Sequence, residues 1–323
     1  MDLSAIYRPI QREMARVEER LAQELHANEQ PLSQLTAHVA AYKGKRIRPA
    51  LVLFSGRCLG EISSEHIELA VAMELVHTAT LVHDDILDEA SLRRNSPTVN
   101  IKWGPDVAVM LGDYLLAQAF SLIAAFKSPG ATRDLLQTTM TMCRGEIHQL
   151  HRRYVLDLDE AEYLQIIERK TAALCSACCR LGALCSESPD GFAEDLARYG
   201  ANVGIAFQIV DDCLDITGKE SKVGKTLYTD LVKGKLTHPI IRLAGLVPEE
   251  KRPELKRLLF SKSAKEALLE LLPALEKHGA LEYARARAVE HVEEAKRHLN
   301  RLAGSEFKEG LLALADYVIA RER

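Results

Sequence analysis

Apolar residues recur at helical spacing along nearly the whole chain, and strand-like alternation is lacking. Breakers punctuate this pattern at Pro31, Gly44, Pro49, Gly60, Pro97, Gly104-Pro105, Pro129-Gly130, Pro189, Gly218, Pro239, Pro248 and Pro253. They divide the chain into roughly ten or more helical segments. The pattern predicts an all-α protein with one domain over residues 1–323. Its motifs fall within 32–239, and a charged helical part follows over 240–323. In that last part Arg285, Arg287, Glu290, Glu293, Glu294, Lys296 and Arg297 read as solvated faces with paired charges. One segment, Val107–Phe126, is apolar apart from Asp113, Tyr114, Gln118 and Ser121. It is about long enough to span a bilayer, but a charge inside it is costly there. A helix apolar on all sides also suits a protein core or a subunit contact, which is the expectation here.

Composition sharpens this picture. Aromatic residues are only 5% of the chain while hydrophobic residues reach 47%, which suits packed helices better than a sandwich or barrel. The net charge of −4 argues against a nucleic-acid partner, so any anionic ligand needs a local basic cluster. The seven cysteines form no spaced framework, and Met1–Glu24 lacks an apolar core, so a reduced, cytoplasmic setting is expected. Cys175, Cys178, Cys179 and Cys185 lack paired zinc spacing and read as helix-packing residues.

The strongest chemical signal is Asp84-Asp85-Ile86-Leu87-Asp88, which ends the apolar run Ile67–Val82. On a helix Asp84 and Asp88 lie one turn apart on one face, and His77 falls close to it. Acids packed this closely call for a cation, and hard oxygen donors suit Mg²⁺ shared with substrate phosphates. The pattern returns at Asp211-Asp212-Cys213-Leu214-Asp215, after the apolar run Val203–Val210. One copy alone could be a solvated helix end. Two copies facing each other across a bundle would form a site for several divalent ions.

Basic residues stand beside both triplets: Lys45, Arg46 and Arg48 in a compact turn, Arg93-Arg94, Lys170-Thr171, then Lys225 and Lys235. Arg48 can grip phosphate with two prongs, and Lys45 acts as a point charge. Gly224-Lys225-Thr226 is not a phosphate-binding P-loop, since the spacing from Gly218 is wrong and no strand precedes it.

Taken in order, these residues resemble the trans-prenyl diphosphate synthase family. The likeness runs from Leu32 to Pro239. It includes Gly44–Pro49, His77, Leu81–Asp88, Arg93–Thr98, Gly112-Asp113, Gly145-Glu146, Lys170-Thr171, Phe207–Asp215, Gly224-Lys225 and Asp230–Lys235. Asn95 departs from the pattern, because many members carry Gly there.

The resemblance implies an isoprenoid synthase fold, a helical bundle around a central cavity, assembled as a homodimer with Val107–Phe126 in the subunit contact. It implies Mg²⁺, three ions with substrate bound, held by Asp84 and Asp88 and by Asp211 with help from Asp212 or Asp215. Asp85 belongs to the same acidic set. It implies that Arg93, Lys170, Thr171, Gln208, Lys225 and Lys235 bind an allylic diphosphate, and that Lys45, Arg48, His77 and Arg94 bind isopentenyl diphosphate. Lys170, Thr171 and Gln208 would serve catalysis. The reaction would ionise the allylic C–O bond, add isopentenyl diphosphate to the cation, and lose a proton to the released diphosphate.

Product length is expected to depend on Met73, Val76, Ala79 and Thr80, on the helix leading to Asp84. Ala79 and Thr80 would leave a tunnel open where short-chain bacterial and animal relatives carry an aromatic floor. This predicts a long all-trans product of C35–C45, with C40 favoured, and transient membrane contact for its release. A shorter product, such as a geranylgeranyl or farnesyl diphosphate, is the alternative within the chemistry. A terpene cyclase would not need the second triplet or the isopentenyl-site bases. A di-iron bundle would need a second copy of Glu74-x-x-His77. A non-catalytic subunit of a heteromeric synthase would tend to lose the triplets.

Overall fold

The computed structural model describes residues 2–42, 44–126, 129–186, 191–217, 229–261 and 264–321. The helices that build the site are α1 (Gln11–Glu24), α2 (Ile47–Arg57), α3 (Ser64–Leu87), α4 (Pro105–Ala124) and α5 (Pro129–His151). They continue with α6 (Glu160–Ile167), α7 (Ala173–Leu184), α8 (Phe192–Thr217), α9 (His238–Leu246), α10 (Ala280–His298) and α11 (Glu306–Ala320). Their starts carry expected caps. Asp159 accepts from the Glu162 amide, Ser305 accepts from the Lys308 amide, and Pro105 opens α4 after Gly104.

Helix α3 is the central element, packed against α1, α2 and α4, while α8 lies between α7 and α10. One hydrophobic cluster runs from Ile6 to Val318. The 240–323 part is therefore integral to the core and does more than present charge. Ala280, Ala284, Ala288, Val292 and Ala295 form a fully buried stripe along α10, small enough to lie close against α8. Its charged face is also engaged, since Arg287 donates to Glu160 and Lys296 pairs with Asp316.

Several breakers act differently from a simple joint. Pro49 lies within the first turn of α2, and Pro239 opens α9, where a missing amide costs little. Pro273 sits inside the helix Ala264–Lys277. Pro189, Gly218, Gly224, Lys225 and Thr226 lie outside the described residues.

A small hairpin was not anticipated. Strands β1 (Leu92–Arg93) and β2 (Ser96–Pro97) pair antiparallel, with Arg93 opposite Ser96. Arg94 and Asn95 between them have φ of 51° and 63°, the backbone of a type I′ turn. Asn tolerates that conformation better than most side chains, which accounts for Asn95 standing where Gly is common.

Helix α4 is long and apolar enough to cross a membrane. Burial within the chain covers only one of its faces. Leu111, Leu115 and Ala119 pack inward, while Val109 and Met110 are exposed. The adjoining α5 exposes Leu136, Met140 and Ile147.

Candidate active site

The first triplet ends α3, with Asp88 as its C-cap. Carboxylates at a helix C-terminus oppose the helix dipole, so cations must gather there. Lys235 Nζ donates to both Asp88 oxygens at 2.7 and 2.8 Å, and Arg153 Nη2 adds a third bond at 2.9 Å. Burial alone would raise the Asp88 pKa, but Lys235, Lys170 and Arg153 hold it below the usual carboxylate value. Asp85 is 1% exposed and takes two bonds from Arg93, at 3.0 and 2.5 Å. Asp84 differs. Burial raises its pKa, Glu146 and Asp88 raise it further, and Lys170 and Lys235 oppose the rise.

Lys170 and Thr171 sit on a π-helical turn, Glu168–Ala172, between α6 and α7. Such turns mark functional sites often enough to be informative. Two glycines admit it. A Cβ at Gly145 would fall 2.5 Å from the Lys170 amide nitrogen, and one at Gly204 would fall 2.6 Å from Ala172 Cα. Lys170 Nζ donates to Gln149 Oε1 at 2.8 Å and pairs with Glu146. Burial would lower the Lys170 pKa, yet Asp84, Glu146 and Asp88 together drive it above the ordinary lysine value.

The second triplet lies near the end of α8. Asp211 pairs with Arg321 at 2.8 Å, and the Arg321 guanidinium stacks 3.7 Å over the Phe207 ring. Asp212 accepts from Tyr163 Oη at 2.7 Å, the His238 amide at 3.0 Å and Gln208 Nε2 at 3.0 Å. Burial, with Asp230 adding to it, raises Asp212 to about 7, and its three donors work against that rise. Asp215 is buried. Thr171 Oγ1 donates to Gln208 Oε1 at 3.0 Å. Lys170 thus faces the first triplet while its neighbour Thr171 is linked through Gln208 to the second. The segment after α8 repeats the bridge, since Lys235 reaches Asp88 and His238 reaches Asp212.

The remaining basic residues form a second cluster beside α3. Burial pushes His77 well below the usual imidazole range, and Arg48, Arg94, Arg93 and Arg46 add to the shift. Arg94 donates to the Tyr42 carbonyl at 2.5 Å, and the buried Arg48 Nε has no hydrogen-bond partner among the described residues. Arg46 has φ 52° and is pinned between Glu74 at 2.7 Å and Glu18 at 2.6 Å. Lys45 lies 5.5 Å over the Tyr317 ring, and its carbonyl accepts from Tyr7 Oη at 2.8 Å.

The expected open tunnel is not seen at Ala79. Met73, Val76 and Ala79 are each 0% exposed, so no water-sized space adjoins them, while Thr80 is only half-buried. Lys225 lies outside the described residues.

Among the described residues, no three His, Cys, Asp or Glu side chains converge to hold a metal unaided. The donor set nonetheless fits a hard divalent ion that completes its shell with phosphate and water. Asp84 is a half-buried carboxylate crowded by Asp88 and Glu146, and a cation would relieve that crowding. Asp85 and Asp212 are already engaged by protein donors.

The polyprenyl synthetase family profile matches residues 29–274. The chain belongs to this family. It is 35% identical over 310 residues to heptaprenyl diphosphate synthase component 2 of Bacillus subtilis (strain 168), covering 95% of this chain and 87% of that one. The crystal structure of a decaprenyl diphosphate synthase from Rhodobacter capsulatus superposes with a TM-score of 0.93 at 34% identity, over the full length of both chains. That of a polyprenyl synthase from Caulobacter crescentus CB15, complexed with calcium and isoprenyl diphosphate, gives 0.94 at 30% identity, over 100% of this chain and 98% of the other. Other relatives are named for geranylgeranyl, octaprenyl and nonaprenyl products. The protein is accordingly an all-α prenyltransferase with the isoprenoid synthase fold.

Glu146, Arg153, Tyr163 and Arg321 are site residues that the sequence reading did not single out. Glu146 stood within a family motif but had no role attached.

Proposed function

We propose that this prenyl synthase condenses an allylic diphosphate with successive isopentenyl diphosphate units to give a long all-trans product, C40 within a range of C35–C45. The observation that carries the reading is the Lys170–Thr171 turn, with Asp84 on one side and the Gln208–Asp212 pair on the other. Mg²⁺ is the proposed ion, three with substrate bound, held by Asp84, Asp88 and Asp211. Bound there, it supplies Lewis-acid charge to the diphosphate oxygens.

Lys170, Arg93, Lys225 and Lys235 bind the same diphosphate and offset its charge as the C–O bond breaks. Asp85 aims Arg93. Lys45, Arg48, His77 and Arg94 hold isopentenyl diphosphate, with His77 neutral and therefore a hydrogen-bonding partner. Thr171 and Gln208 present oxygen atoms to the allylic cation. The buried walls keep water from trapping it, and the departing diphosphate takes the proton. The small side chains at Ala79 and Thr80 support a long product. Growth beneath Thr80 requires Val76 and Met73 to repack.

The exposed apolar residues Val109 and Met110 on α4, with Met140 and Ile147 on α5, support a homodimer. The relative named as a synthase component supports a second reading, a heteromeric enzyme. All seven cysteines are free, which supports a reduced, cytoplasmic setting. A long apolar product would leave through transient membrane contact. Purified chain, given Mg²⁺, farnesyl diphosphate and labelled isopentenyl diphosphate, should form a C35–C45 product without a partner. Its solution mass should be twice that of the chain. No condensation product by chromatography would overturn the reading.

A further inference from the structure

Between α6 and the reacting centre runs a chain of four side chains, Tyr163, Asp212, Gln208 and Thr171. It begins at Tyr163, which is 4% exposed and whose ring packs edge-on against His238 at 5.1 Å. Tyr163 Oη and the His238 amide both donate to the same oxygen of Asp212, Oδ2, at 2.7 and 3.0 Å. That leaves Oδ1 to accept from Gln208 Nε2 at 3.0 Å. A carboxylate fixed in this way decides which end of the Gln208 amide faces it. While Asp212 is ionised, a flipped amide would set Gln208 Oε1 against Asp212 Oδ1, two acceptors with no proton between them. Gln208 Oε1 is therefore committed to the other side, where it accepts from Thr171 Oγ1 at 3.0 Å. A threonine hydroxyl has one proton. Once that proton is given to Gln208, Thr171 can present only lone pairs to the space beside Lys170. Lone pairs are the right electrostatic face for an allylic cation and the wrong one for a diphosphate oxygen.

We propose that Tyr163 and Asp212 are positioning residues, which act through Gln208 to hold the Thr171 oxygen with its lone pairs toward the allylic cation. This rests on the prenyl-transfer reading and extends it to a residue on α6. It also gives Asp212 a task distinct from that of Asp211. Among the described residues, the three hydrogen-bond partners of Asp212 are all protein donors, so its carboxylate is occupied before any ion arrives.

Two substitutions test this with little change of volume. Tyr163→Phe removes one donor and lets the carboxylate turn, and kcat should fall about fivefold, as for one ordinary hydrogen bond. Asp212→Asn places an NH₂ group among donors and favours the flipped Gln208 amide, so kcat should fall by about a hundredfold. In both variants KM for each diphosphate and the half-saturating Mg²⁺ concentration should stay within about twofold of wild type. In a Thr171→Val background, Tyr163→Phe should cost less than about twofold, because the group it acts through is gone. Additive losses in that cycle would overturn the proposal. So would a rise in half-saturating Mg²⁺ larger than the loss in kcat, since Asp212 would then serve the ion. A crystal structure of Tyr163→Phe gives a readout independent of turnover. The Thr171–Gln208 contact should open beyond about 3.5 Å, and its retention near 3.0 Å would overturn the proposal. If the wild-type chain forms no prenyl product, the functional reading fails, and the crystal structure still decides this inference by itself.

Discussion

Lys235 and Asp88 stand 147 residues apart in sequence, yet Lys235 Nζ lies 2.7 and 2.8 Å from the two Asp88 carboxylate oxygens. Three residues beyond Lys235, the His238 amide touches Asp212. One short segment therefore ties the end of α3 to the end of α8. The pairing also shows how acids are tolerated at a helix C-terminus before substrate arrives. Protein cations occupy them, and under the proposed reaction Lys235 would also face the incoming diphosphate.

Replacing Lys235 with Met should both destabilise the fold and impair turnover. Lys235 is 7% exposed, and its loss leaves Asp88 with Arg153 as its close cationic partner. Breaking a buried pair costs about 3–5 kcal/mol, and the remaining Arg153 contact sets the expectation at the low end. Urea unfolding should show a lower midpoint with an unchanged slope. kcat/KM for the allylic diphosphate should drop by more than about tenfold, as for a lost charge-assisted contact.

Much of this site was legible in the sequence because its chemistry is local. Asp84 and Asp88 announce themselves by helical spacing at the end of an apolar run, and Asp211–Asp215 repeats the signature. Other parts depend on contacts that no local pattern encodes. Tyr163 looks like an ordinary core aromatic until it meets Asp212, and Arg321 like a terminal surface charge until it lies over Phe207. The hairpin at Leu92–Pro97 has strands of two residues, too short to show alternation, although Arg94–Asn95 carries the turn. The alanine stripe of α10 was hidden by the charges that flank it. The close packing at Met73, Val76 and Ala79 depends on what α3 meets, which spacing along one helix does not reveal.

If Asp211 holds a divalent ion as proposed, Arg321 competes with that ion for it. The guanidinium is 2.8 Å from Asp211 Oδ1, and the arginine side chain is 3% exposed. An ion binding there must displace or share that contact. Arg321→Met should lower the half-saturating Mg²⁺ concentration about threefold, as expected for a partly exposed ion pair. Isothermal titration with the protein and a diphosphate analogue would measure it. An unchanged or weaker Mg²⁺ affinity would show that Arg321 helps to hold the site together.

Acid should weaken the fold through His66, at the start of α3. The ring is fully buried, Nδ1 accepts from the Ser63 amide at 3.1 Å, and burial holds its pKa below the usual imidazole value. In the unfolded chain the imidazole titrates near 6.5. Above that pH both states are neutral and the contribution to stability is complete. As the pH falls through 6.5 toward the lower folded value, the unfolded chain takes up a proton that the folded protein refuses, and stability is lost. The slope contributed by one such group is at most about 1.4 kcal/mol per pH unit. His66→Gln retains an acceptor at the third helical position, as in a capping box. Its stability should fall less steeply than wild type between pH 7 and pH 5, measured by urea unfolding. Parallel slopes would refute the role of His66. His77 and His238 also have depressed values and contribute equally to both curves.

The product-length proposal turns on Ala79. This residue is 0% exposed, as are Val76 and Met73 on the same helix, so a phenyl ring placed there cannot be absorbed without moving its neighbours. Overpacking of this kind costs about 1–3 kcal/mol of stability, which a domain with so extensive a core should survive. The ring would also occupy the volume that Val76 and Met73 must open by repacking for a growing chain to push beneath Thr80. Each added methylene gains about 0.8 kcal/mol only if it finds an apolar wall to bury against. With that depth blocked, elongation should stop several isoprenoid units early, and kcat/KM for the first condensation should stay within about threefold of wild type, because the diphosphate contacts are untouched. Chromatography of the products from labelled isopentenyl diphosphate gives the answer directly. A product of unchanged length from Ala79→Phe would mean that the chain grows along a different wall of the bundle, away from the face of α3 that carries Met73, Val76 and Ala79.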